Sequence, residues 1–166
     1  MVRPALTVTQ SLLMQAPPAR VLAAFFEAAD LAAWWQAVRS VTMPRPLAPY
    51  AIEWAATDFT DEVLGRLGGV FHGTVMDYRP HAAFFIADAY WQPPEGDPIG
   101  PMALEVQCRP RGNGRSTMVT VSQSGEDAGP RWRRYFDLMN RGWERALVDM
   151  KDHLDREALR SVTRIS

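Results

Sequence analysis

The stretch PRWRRYFDLMNRGWERALVDMKDHL (Pro130–Leu154) decides the fold. Trp132, Tyr135, Phe136, Met139, Trp143, Leu147, Met150 and Leu154 fall at helical spacing, so they form one apolar stripe. Pro130 suits the first turn of a helix, and the stripe predicts a single element from Pro130 to about Arg156. At 1.5 Å per residue its length is roughly 40 Å. Asp137 with Arg141 and Lys151 with Asp155 are opposite-charge i,i+4 pairs for its solvent side. A helix with so long an apolar face needs a second layer to bury it.

Upstream, the chain supplies that layer as strands. Ala5–Met14 alternates Leu6, Val8, Leu12 and Met14 against Thr7, Thr9 and Ser11. Ala16-Pro17-Pro18 ends it and opens a helix carrying Val21, Leu22, Phe25 and Phe26. Asp30 is the expected N-cap of a second short helix bearing Trp34 and Trp35. Pro44, Pro46 and Pro49 exclude a long regular element next. Tyr50–Ala56, Val70–Tyr78, Ala82–Trp91, Met102–Arg109 and Ser116–Ser122 then read as strands. Thr57–Gly69 and Gln92–Pro101 read as connections, and Arg111-Gly112-Asn113-Gly114 as a hairpin turn. The expected architecture is α+β. A curved antiparallel sheet wraps the long C-terminal helix, two short helices follow the first strand, and Ala82–Trp91 pairs with Met102–Arg109. Such a sheet can leave a cavity against the helix.

Composition narrows the classes of function. A chain of 166 residues with 47% hydrophobic residues is expected to be one domain, 1–166, with its core at about 6–157. Eighteen basic and 19 acidic side chains give a net charge of -1, with no electrostatic drive toward nucleic acid. Lys151 is the single lysine; this arginine bias, with the Ala and Pro richness, points to a GC-rich, bacterial genome. Cys108 stands alone, which excludes an internal disulfide and a cysteine zinc cluster. No apolar run approaches the ~20 residues of a membrane span. Met1–Gln10 lacks a signal-peptide core, so a cytoplasmic protein is expected.

Several motifs resemble one family. Ala16-Pro17-Pro18-Ala19-Arg20-Val21, Asp30-Leu31 with Trp34-Trp35, Gly73–Pro80, Ser124-Gly125 and Gly142-Trp143-Glu144-Arg145-Ala146-Leu147 occur in order along the chain. Together they resemble the START-like (SRPBCC, Bet v 1-like) helix-grip superfamily, in the group similar to the C-terminal domain of the activator of Hsp90 ATPase. The chain departs from that pattern at Leu22, Gln36, Pro49-Tyr50 and Gln123, the last often a histidine in the family. The resemblance implies a hydrophobic ligand cavity. It does not fix function.

The candidate ligand-binding residues are Trp35, Trp54, Phe71, Phe85, Met139 and Trp143, read either as cavity lining or as ordinary core. His72, His81 and His153 have no ligand spacing, so neither a metal nor another cofactor is expected. Cys108 reads as a buried small hydrophobe. By alternation Asp88 shares a face with Phe84, Ile86 and Tyr90, opposite Phe85 and Trp91. The Arg131, Arg133, Arg134 cluster reads as helix surface, or as an attractor for an anionic head at a cavity mouth.

Three functions follow as expectations. The first is binding of a small hydrophobic or aromatic molecule under the long helix by a monomer or homodimer. The alternative is a cyclase- or hydrolase-like enzyme using Asp88, Tyr90, His72 or Glu53 in that cavity. The third is a chaperone-interacting protein of the Hsp90-activator kind. It ranks last because the chain has no room for the separate N-terminal domain of the eukaryotic activator.

Overall fold

A computed structural model describes residues 4–165; the other positions of the expected domain lie outside the described residues. In chain order the elements are β1 (Ala5–Met14), α1 (Pro18–Ala23), α2 (Ala28–Trp34), β2 (Arg39–Thr42), β3 (Pro49–Trp54), β4 (Thr60–Asp61), β5 (Gly65–Arg66), β6 (Gly69–Arg79), β7 (Ala83–Gln92), β8 (Ile99–Arg111), β9 (Ser116–Glu126) and α3 (Pro130–Ile165). Seven strands form one sheet in the order β1-β9-β8-β7-β6-β3-β2, and β4 and β5 pair separately. Every pairing is antiparallel. The architecture is the expected α+β helix grip. The predicted hairpin of β7 with β8 is present, with Ala83 opposite Gln107 and Ile86 opposite Leu104.

The inner rows of the strands supply one half of the core. Met102, Leu104, Val106 and Cys108 on β8 are buried, as are Val119 and Val121 on β9. Tyr135, Phe136, Trp143, Ala146, Leu147, Met150 and Leu154 of α3 supply the other half. α1 rests on β8 and β9, and α2 on α3 and β2. Among the described residues no helix is long and apolar enough to cross a membrane.

Four local readings are corrected. α3 continues to Ile165, so it is about 54 Å long. Residues 157–164 hold no Gly or Pro to stop it, and the Ser161 and Thr163 hydroxyls bond back to the Glu157 and Leu159 carbonyls. Asp30 is not an N-cap. Glu27 holds that position without a side-chain bond, and the Asp30 carboxylate accepts from Arg20 at 2.6 and 3.0 Å and pairs with His153 at 2.7 Å. The expected connection Thr57–Gly69 contains the β4–β5 hairpin, and the short edge strand β2 precedes the proline stretch.

The fourth correction concerns β7. Its register against β8 shifts between Ile86 and Ala89, where Asp88 takes φ 51°. This bulge reverses the alternation partway along the strand. Phe84, Ile86, Ala89 and Trp91 are therefore all buried inward, while Phe85 is half-buried on the other face and Asp88 is exposed.

Candidate functional site

Between the first half of α3 and the sheet lies a cavity of about 400 Å³. The end of α2 and the β4–β5 hairpin close it on two sides. Trp35 follows directly on α2, and Gln36 at φ 56° turns the chain away after it. The Trp35 ring stacks on Trp34 at 4.9 Å and 6°, tilts against Trp143 at 4.9 Å and meets the edge of Trp54 at 5.1 Å. Phe71 on β6 and Trp91 on β7 extend the aromatic wall, and Trp91 stacks on Tyr135 at 5.1 Å. Leu64 and Leu67 cover it from the hairpin, and Leu138, Met139 and Gly142 line it from α3.

Four of the indole N–H groups around this wall are spent on the protein itself. Trp34 donates to the Ala24 carbonyl, Trp54 to that of Trp35 and Trp91 to that of Gly68, each at 2.8 Å. Trp143 donates to Gln123 Oε1 at 2.8 Å. The rings thus offer faces rather than polar edges to the space between them. Gln123, only 2% exposed, gives its amide nitrogen to Tyr135 Oη at 3.2 Å and to Met102 Sδ at 3.5 Å. No Asp, Glu, Lys, Arg or His is among the residues that line the cavity.

The hairpin over the cavity is latched. Asp61, 4% exposed, accepts from Arg134 of α3 at 2.6 and 2.9 Å and from the Val63 and Leu64 amides at 3.0 Å each. The Arg134 guanidinium, backed by those two amides, outweighs burial and holds the Asp61 carboxyl at about 2. The neighbouring arginines are also engaged: Arg131 donates to the Asp97 carbonyl at 2.9 Å, and Arg133 pairs with Asp127 at 3.0 Å.

Of the six residues expected to bind ligand, Trp35, Trp54, Phe71, Met139 and Trp143 line the cavity. Phe85 does not, because the β7 bulge sets inward parity on Phe84 and Ile86. The four polar residues considered for catalysis are elsewhere. His72 and Tyr90 stack on each other at 5.8 Å, Asp88 is exposed at the bulge, and Glu53 pairs with Arg39. Cys108 lies outside the lining, and burial pushes its thiol up to about 12. Among the described residues no three His, Cys, Asp or Glu side chains are grouped so that they could hold a metal ion. Sequence reasoning missed Gln123 as a site residue. The signal was its parity with Val119 and Val121, which sets a polar side chain on an inward row.

The comparisons agree with this geometry at the level of fold. A protein of Mesorhizobium loti superposes with a TM-score of 0.68 at 20% identity, over 91% of this chain and 98% of its own. The AHSA1-like protein of Aeromonas hydrophila gives 0.66 at 15% identity, over 93% and 95%. A protein of Rhizobium leguminosarum gives 0.60 at 22% identity, over 94% and 99%. No curated protein matches the chain. The model of the family described as "Activator of Hsp90 ATPase homolog 1-like protein" matches residues 15–155, and the chain belongs to that family.

Proposed function

We propose that this protein binds a small hydrophobic or aromatic molecule in the cavity between the sheet and α3. The observation that carries the reading is an apolar space of about 400 Å³ walled by the faces of Trp35, Trp54, Trp91 and Trp143. That size lies in the usual range of small-molecule sites. Flat rings around an uncharged space favour stacking on a flat apolar partner. The cyclase- or hydrolase-like alternative needs a titratable pair at the void, and Tyr135 is the one titratable group among the lining residues. The family and fold are also compatible with a chaperone-associated role in general terms.

Titration with N-phenyl-1-naphthylamine, a neutral fluorescent probe, tests the reading. We expect saturable single-site binding, abolished by Met139→Trp, which fills the space from α3. Absence of saturable binding to the wild-type protein would overturn the reading, as would full binding to a folded Met139→Trp variant.

A further inference from the structure

Among the buried residues that line the cavity, one polar group uses only half of its hydrogen-bonding capacity. Trp143 Nε1 can only donate, so the 2.8 Å bond it makes fixes the Gln123 side chain with its oxygen toward the indole. The amide nitrogen must then face Tyr135 and Met102, and its two hydrogens go to Tyr135 Oη and Met102 Sδ. Tyr135 Oη is therefore an acceptor in the one bond it makes, and its own proton is left over. Among the described residues nothing accepts that proton. Tyr135 is 3% exposed and its ring is held between Trp91 at 5.1 Å and Phe136 at 5.7 Å. Burial pushes the phenol up, so it stays protonated at neutral pH. A buried donor without an acceptor costs free energy that a bound acceptor would return.

We infer that the Tyr135 hydroxyl is the anchor of the ligand site, and that the ligand is a neutral, flat apolar molecule carrying a carbonyl- or ether-type acceptor. This inference rests on the binding function proposed above. Neutrality follows from the lining. With no cationic side chain around the cavity, a carboxylate would be desolvated without a counter-charge. Gln36 and Thr57 also line the space, but both are exposed at its rim, and each donates to a backbone carbonyl, of Trp34 and Phe59 respectively. Among the buried lining residues the donors of Trp91, Trp143 and Gln123 are all committed, so orientation falls to Tyr135, and the tryptophan faces supply the contact area.

The test compares two probes of the same shape, 2-acetylnaphthalene, which carries a carbonyl, and 2-isopropenylnaphthalene, which does not. Dissociation constants for both are measured on wild-type protein and on Tyr135→Phe. The preference for the ketone, expressed as the ratio of the two constants, should fall about tenfold in the variant. In wild-type protein the carbonyl stretch of the bound ketone should move to lower frequency than in a hydrocarbon solvent. Naphthalene-2-carboxylate should bind at least about a hundredfold more weakly than the ketone at pH 7. The infrared measurement needs no variant, so it stands even where Tyr135→Phe fails to fold. An unchanged ratio, an unshifted carbonyl band, or carboxylate binding equal to the ketone's would overturn the anchor while leaving hydrophobic binding intact. If neither naphthalene probe binds, both the anchor and the binding function fall.

Discussion

Trp143 and Gln123 meet at 2.8 Å, and this bond ties the middle of α3 to the inner row of β9 beside the cavity. It joins the most conspicuous aromatic of the helix to a buried amide with few other partners. Trp143→Phe trims the bicyclic ring and takes away its N–H, which leaves Gln123 Oε1 buried without a donor. Trp143→Phe should therefore cost about 1–3 kcal/mol in urea unfolding. Trp143→Ala, which also removes packing against Trp35, should cost about 3–5 kcal/mol. Equal losses for the two variants would show that the hydrogen bond, and not the ring, carries the contribution.

Gly142 sits one residue before that tryptophan, exposed at the cavity rim. A Cβ there would meet only Met139 Cε at 3.8 Å, and the backbone is helical. The glycine is thus conformationally unnecessary and weakens the helix. Gly142→Ala should stabilise the protein by roughly 0.5–1 kcal/mol. Gly142→Phe should instead weaken probe binding by obstructing the rim. Thermal unfolding and probe titration on the same two variants would check both statements.

The Asp61–Arg134 latch predicts a defined acid response. Asp61 is lowered from the ordinary 3.8 to about 2, so its contribution is complete above about pH 4 and is lost as pH falls through about 2. An NMR titration should place the Asp61 carboxyl midpoint near 2, and Arg134→Ala should raise that midpoint toward the ordinary value. At neutral pH the same variant should speed tryptic cleavage after Arg66 in the hairpin. Unchanged cleavage would mean that Leu64 and Leu67 packing alone holds the hairpin down.

A second acidic cluster joins α1, α2 and α3. Burial raises the Asp30 carboxyl, but Arg20 and His153 together outweigh it and leave it below the usual range. Arg20 likewise holds Glu157 below its ordinary value. Both groups therefore contribute above pH 4 to 5 and lose that contribution as pH falls further. Asp30→Asn should cost about 2–3 kcal/mol at pH 7, since Arg20 retains Glu157 as a partner. The loss should shrink when unfolding is measured at pH 3.

Much of the fold was legible because its largest elements carry clean periodicity. β1 has the bounds its alternation predicts, and the α3 stripe marks the buried face of the helix residue by residue. Elements without such patterning were hidden. β2 (Arg-Ser-Val-Thr) is a short edge strand, and the two-residue strands of the hairpin are held by a distant arginine rather than by their own composition. At the site, large aromatics at inward positions were readable. Phe85 was misplaced because a bulge at a non-glycine residue with φ 51° leaves no mark in the pattern of apolar residues. Asp30 was misread because capping and ion pairing draw on the same residue type, and its partner His153 lies 123 positions away.

The chain of ring contacts from Trp34 through Trp35 to Trp54 and Trp143 has an optical consequence. Indoles this close exchange excitation, so they absorb and emit as a coupled group rather than as separate reporters. Three of these four rings form the cavity wall. A guest that absorbs in the near ultraviolet, where tryptophan emits, would drain the whole group at once. Occupancy of the cavity is then readable from the emission of the unlabelled protein.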